Sequence, residues 1–286
     1  MIDIQTISRL AVEAMLSEVS ATPKPGLVDR HNCGAHHDMD FFTFVSSSAA
    51  LSDAYRAMGQ VGIDFGDQEI TDMWPMLQSV GYEMEQRMFE ATKNVNTHKG
   101  MVFSLGILSA CAGWLSRQKN IQSITATAIC GAAAQLCAGL CEKAFKDMDQ
   151  KTELTKGDRM YLAYGLRGAR GEAEDGFPTV MTVALPMYTL LRDTGISIND
   201  ALVETLLHLV AHTEDTNIVS RHDWDTATYA KEAAKRVIRL GGIHTEVGRA
   251  AIEAMDQDFI ERYISPGGAA DLLALTHFLY EIEKVG

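Results

Sequence analysis

The sequence predicts an all-α protein: one compact multi-helix domain spanning residues 1–286, with functional loops at its helix ends. Three observations carry that prediction. Apolar residues recur with helical spacing along nearly the whole chain. No stretch alternates clearly as a strand would, and no hairpin signal is found. The connections are short, and no linker-like segment or internal repeat divides the chain.

The helices can be justified in order. Ile4, Ile7, Leu10, Ala11, Ala14 and Met15 form one apolar stripe, with Asp3 placed to cap its start. A second helix fits roughly 40–58. A third fits roughly 71–92, where Pro75 is tolerated only in the first turn or at a kink. Further helical patterns cover about 100–117, 123–147, 155–165, 178–194, 199–212, 226–240, 245–256 and 269–285, making about ten or eleven helices. The 14 methionines scatter on helical faces, where they fill the core.

Composition narrows the function. Of 286 residues, 47% are hydrophobic and 22% charged, as in an ordinary globular protein. The formal net charge of −13 argues against nucleic-acid binding, which needs a basic surface. It leaves room for a small polyphosphate if Lys, Arg and backbone N–H groups converge locally. No apolar run is long enough to cross a bilayer, and the N-terminus lacks signal-peptide grammar. The five cysteines include no C-x-x-C, and Cys130, Cys137 and Cys141 share one helical face. Free buried thiols and a cytoplasmic location are expected. An exposed apolar helix face could also build a homodimer.

Most of the unusual chemistry lies in the breaks between helices. Residues 22–40 hold two prolines and two glycines among Lys24, Asp29, Arg30, His31, Asn32, His36, His37, Asp38 and Asp40. A loop that only connects two helices does not need that mixture. In 168–176, three glycines allow close backbone approach, Arg170 suits a phosphate, and Glu172, Glu174 and Asp175 suit a cation or proton transfer. An acidic surface turn would look the same. Asn96-Thr97-His98-Lys99-Gly100 precedes an apolar helix; Thr97 could be its cap, or Lys99 and the helix start could face an anion. Ser265-Pro266-Gly267-Gly268 opens the last helix with two glycines, which suits a ligand lying against bare N–H groups. Asp215 is a better metal candidate than the His208/His212 pair, since Mg²⁺ prefers oxygen ligands. P-loop, Rossmann, nucleophile-elbow and kinase signatures are absent. The generic reading is an enzyme for a phosphorylated ligand and a divalent cation.

Six motifs in this order resemble one family. Thr-Pro-Lys-Pro-Gly-Leu-Val-Asp-Arg, Gly-Ala-His-His-Asp-Met-Asp, Asn-Thr-His-Lys-Gly, Gly-Ala-Arg-Gly-Glu-Ala-Glu, Asp-Thr-Asn and Ser-Pro-Gly-Gly-Ala-Ala-Asp resemble the ATP:dephospho-CoA triphosphoribosyltransferases over about 5–283. The Leu-Val-Asp-Arg form with Gly-Ala-His is closer to the citrate lyase branch than to the malonate decarboxylase branch. The resemblance implies transfer of the 5-triphosphoribosyl group of ATP to the 2′-hydroxyl of 3′-dephospho-CoA, with adenine leaving. It implies inversion at the ribose C1 carbon, hence single displacement with a general base. On that reading Glu172 or Glu174 is the base, and His36 or His98 protonates the departing adenine. Lys24, Arg30, Asn32, Lys99, Arg170, Asn217, Arg221, Gly267 and Gly268 bind substrate. Asp38, Asp40 and Asp215 stand beside a Mg²⁺ ion. His222 and Asp223 occupy positions where the family pattern runs on into glycines. A Mg²⁺-dependent N-glycosidic hydrolase of the all-α ADP-ribosyl hydrolase type is the rival, supported by Glu214-Asp215-Thr216-Asn217.

Overall fold

Two helices are apolar on every face, and such helices belong in the middle of a core. One is α5 (Lys99–Leu115), where Met101, Leu105, Leu108, Ala112 and their neighbours are buried. The other is the last helix, α15 (Gly267–Val285), which buries Leu272, Leu273, Leu275, Phe278, Leu279 and Ile282. The remaining helices surround this pair. In this computed structural model the described residues are 2–118, 123–146, 148 and 153–286, and among them there is no strand. No helix among them is long and apolar enough to cross a membrane.

The chain enters through α1 (Ile4–Ser20), capped as expected by Asp3, whose Oδ1 accepts the Thr6 N–H at 2.7 Å. The single helix expected over 40–58 is two, α2 (Phe41–Ala50) and α3 (Ser52–Asp64), hinged at Leu51. Helix α4 (Trp74–Ala91) carries Pro75 in its first turn, where no intrahelical N–H is needed. α3 lies against α5 through bare backbone: a Cβ on Gly62 would sit 1.9 Å from Ala110 O, and one on Gly113 2.2 Å from Gly59 O.

The helix expected over 123–147 is also split, into α6 (Ala126–Leu136) and α7 (Leu140–Phe145); residue 147 lies outside the described residues. Gly139 separates the two in the left-handed region (φ 73°), which an L side chain seldom adopts. Cys130 and Cys137, with Cys141 just beyond Gly139, are free and buried.

After α8 (Lys156–Tyr164), two segments expected as loops are short helices: α9 (Gly168–Glu174) and α12 (Thr216–Arg221). Tertiary packing overrides weak local propensity here. Ala173 and Gly171 of α9 are buried against α5, α6 and α7, and Ile218 and Val219 of α12 are buried likewise. Between them run α10 (Leu185–Asp193), entered through a π-turn at Val180–Ala184, and α11 (Ile198–His212). Helices α13 (Trp224–Arg239) and α14 (Glu246–Glu261) complete the shell before α15.

Candidate active site

The two core helices begin side by side, and a cleft opens over their N-termini. A cavity of about 640 Å³ runs from there over α9 and the 212–217 segment. A smaller one of about 110 Å³ lies under the 24–44 loop. Asn96, Lys99, Gly100, Asn217 and Asp271 line both, so the two cavities are lobes of one site with a common wall.

Four helices start at this cleft. Lys99 and Gly100 open α5, Gly168 and Ala169 open α9, Thr216 and Asn217 open α12, and Gly267 and Gly268 open α15. A helix start presents unpaired N–H groups and the positive end of its dipole. Four such starts therefore converge on one cleft.

Asp215 organises two of these starts. Its Oδ1 accepts the Asn217 and Ile218 N–H groups at 2.9 and 3.3 Å, capping α12. Its Oδ2 accepts the Ala269 N–H at 3.0 Å, capping α15, whose own Pro266 offers no side-chain cap. A Cβ on Gly268 would lie 3.1 Å from this carboxylate, and one on Gly267 3.2 Å from Asn217 Nδ2. The two glycines thus serve close packing of the α12 and α15 starts. Thr97 is not the cap of α5; its hydroxyl bonds Ser47 Oγ at 2.8 Å, and Asn96 Oδ1 accepts the Lys99 N–H at 3.2 Å.

Glu172, Asp175, Glu214 and Asp271 line the larger lobe. Glu172 is half-buried and holds the hydroxyl and N–H of Thr179; burial pushes its pKa up and the Thr179 bonds oppose that. Asp271, one turn into α15, is half-buried on the wall between the lobes. Burial, with Glu18 and Asp215 close by, pushes its pKa well up. Asp271 ends the Ser-Pro-Gly-Gly-Ala-Ala-Asp motif, and its residue type and spacing alone do not mark it as a cleft residue. Glu174 lies off both lobes, 3.6 Å from Arg167 and beside Cys141.

The smaller lobe holds both histidines. His98 is buried; its Nδ1 is 2.8 Å from Ser47 Oγ, its ring meets Phe44 edge-on, and its Nε2 has no partner among the described residues. Burial, then the nearby Lys24 charge, push its pKa down to about 3, so the ring is neutral at pH 7. His36 bonds Ser265 Oγ at 2.9 Å, and burial and Arg221 push its pKa down too. Lys24 is fully buried in an ion pair with Glu18. Arg221 and Asn217 line this lobe, and Lys99 at its edge pairs with Glu85 at 2.9 Å.

Other expected site residues lie elsewhere. Arg30 bonds Asn199 Oδ1 at 3.0 Å and lines a separate groove along α1. Asn32 bonds Asp256 Oδ2 at 2.9 Å and so ties the 22–40 loop to α14. Arg170 lines a groove beside the cleft. Asp40 is the exposed cap of α2, accepting the Thr43 N–H at 2.8 Å, and Asp38 is an exposed side chain near His36. Asp38, Asp40 and Asp215 therefore form no joint metal site. Among the described residues no three His, Cys, Asp or Glu side chains are placed to hold a metal ion. The donor set does not fit a Mg²⁺ held by protein groups alone, and in the Glu214-Asp215-Thr216-Asn217 segment the Asp215 carboxylate is taken up by backbone N–H groups. His222 and Asp223 adopt φ of −128° and −161°, which need no glycine, and Asp223 caps α13.

Known proteins resemble this chain over nearly its whole length. A 2-(5''-triphosphoribosyl)-3'-dephosphocoenzyme-A synthase of Escherichia fergusonii is 41% identical over 97% of this chain and 91% of its own. The protein of that name from Klebsiella pneumoniae is 42% identical over 94% of this chain and 88% of its own. No solved structure matches. The CitG family, described as ATP:dephospho-CoA triphosphoribosyl transferase, matches residues 4–286, and the chain belongs to this transferase family.

Proposed function

We propose that this protein transfers the 5-triphosphoribosyl group of ATP to the 2′-hydroxyl of 3′-dephospho-CoA and releases adenine. The product is the precursor of the citrate lyase prosthetic group. Both substrates are cytoplasmic metabolites, which points to that compartment. The observation that carries the reading is the two-lobed cleft whose common wall lies over the N-termini of α5 and α15. A reaction between two nucleotides needs two sites that meet, and a triphosphate needs donors that stay fixed while adenine departs.

In this reading the N-terminus of α5, on the wall shared by both lobes, holds the triphosphate. Glu172 takes the proton from the attacking 2′-hydroxyl as the ribose C1–adenine bond breaks and the new C1–oxygen bond forms. Its half-buried position raises its proton affinity and suits it to that step. Asp271, on the shared wall, stands where the two reacting riboses meet and stabilises the oxocarbenium-like centre when ionised. His98 acts as a neutral imidazole. If Ser47 donates to Nδ1, the unpartnered Nε2 carries the ring hydrogen and can donate a hydrogen bond to the leaving base, while the proton taken up by Glu172 passes on to the departing adenine through solvent.

The test is mass analysis of the product from ATP plus 3′-dephospho-CoA. The expected product carries the triphosphoribosyl group, with one adenine released per product. Adenine release that ignores the acceptor overturns the reading in favour of hydrolysis.

A further inference from the structure

Transfer to dephospho-CoA raises a steric question. The acceptor hydroxyl must reach the cleft, yet the same molecule carries a diphosphate and a long pantetheine arm that must leave it. A groove of about 550 Å³ between α4, α5 and α7 adjoins the cleft at Lys99, which lines this groove and both lobes. The groove along α1 and the one between α13 and α14 share no residue with the cleft.

The chemistry of this groove is divided. Leu77, Phe103 and Leu140 give it an apolar bed, with the exposed Tyr82 on its rim. Lys99, Lys143 and Arg170 supply three cations from three different helices, and Glu85, which also lines the groove, pairs with Lys99 at 2.9 Å. Gln78 adds an amide able to both donate and accept.

We propose that this groove binds the phosphopantetheine arm of dephospho-CoA, with the diphosphate between Lys99, Lys143 and Arg170 and the arm along Leu77, Phe103 and Leu140. The inference rests on the proposed reaction and says which substrate lies where. The triphosphate keeps the N-terminus of α5, and the acceptor enters from the α4 side. Charge and polarity both match: three cations against the one Glu85 carboxylate leave a net positive wall for a diphosphate, an apolar bed meets the geminal dimethyl group, and Gln78 meets an amide. Arg170, which sequence reasoning expected at a phosphate, then binds the acceptor's phosphates.

The test is steady-state kinetics of the full chain with ATP and 3′-dephospho-CoA for wild type, Tyr82→Glu and Lys143→Glu. Both side chains are exposed, so the substitutions remove no core packing, and melting curves check this. The expected result is a KM for dephospho-CoA raised by about tenfold in each variant, with the KM for ATP within about twofold. Free 4′-phosphopantetheine should inhibit the wild type in competition with dephospho-CoA and not with ATP. This second measurement needs no variant. Competition with ATP, or an unchanged KM for dephospho-CoA in both variants, overturns the assignment while leaving the reaction standing. A wild-type chain that makes no triphosphoribosylated product overturns the proposed reaction, and this inference with it.

Discussion

A Cβ placed on Gly100 would lie 2.1 Å from Oδ2 of Asp271. The second residue of one core helix therefore makes room for a carboxyl group on the other. Gly100→Ala would gain up to about 1 kcal/mol of helix propensity. The methyl group, however, needs the space that the short Asp271 side chain occupies, so the carboxyl must swing aside. We expect kcat to fall by about 100-fold with little change in melting temperature. Unchanged turnover in a folded Gly100→Ala enzyme would mean that the position of Asp271 is not critical.

Asp271 also sets a pH dependence of stability. Its pKa is raised in the fold by burial and by Glu18 and Asp215. The native state therefore holds this proton more tightly than the unfolded chain. The contribution to stability is full below the unfolded carboxyl pKa and declines as pH rises toward the folded value. Asp271→Asn removes this loss. Its melting temperature should exceed that of wild type near neutral pH, with the gap closing on acidification, while turnover falls by about 100-fold or more. A variant that melts lower than wild type at every pH would show that the carboxyl is a structural partner.

Asp215 caps α12 and α15 together. Asp215→Ala leaves backbone donors at two helix starts without their acceptor and should cost about 2–4 kcal/mol, read by denaturant unfolding. EDTA should leave the melting temperature of the free protein unchanged, because the carboxylate is occupied by backbone. A fall on chelation would reinstate a metal at this residue.

His98 has a pKa pushed down to about 3, so acidification destabilises the fold through this group. The unfolded histidine takes up a proton as pH falls through about 6.5, and the folded one does so only near 3. Stability is therefore lost progressively across that window, and His98→Gln should flatten this part of the profile. The kcat/KM profile should show no limb near pH 6.5 that disappears in His98→Gln; such a limb would show a protonated imidazole at work.

Glu172 and Glu174 are two residues apart but differently placed. Glu172 lines the larger lobe, and Glu174 turns to Arg167. Glu172→Gln should lower kcat by about 10²–10⁴-fold, the usual range for a general base. Glu174→Gln should lower it by less than about tenfold. Equal losses in single-turnover adenine release would remove the distinction.

The order of the helices was legible because the apolar period survives in one dimension. Asp3 as a cap and Pro75 in a first turn follow from local grammar, and both are found there. The breaks were less legible. Segments 168–174 and 216–221 are weak helix formers by composition, and they are helical because Ala173, Ile218 and Val219 find buried partners far away in the chain. Single acidic residues were the least legible. Asp215, Asp40 and Asp271 look alike in sequence, yet one caps two helices, one is the exposed cap of α2, and one faces the cleft.

The sequence by itself determined the all-α class, the family and the segments that carry the chemistry, because periodicity and ordered motifs are properties of the chain. Only the tertiary structure decided which side chain in each segment meets the cleft. That choice depends on where helix starts converge. The N-termini of α5 and α15 place Lys99, Gly100 and Asp271 on one wall. The same folding turns Arg30 and Asn32 toward other helices, where their hydrogen bonds are made by residues more than a hundred positions away.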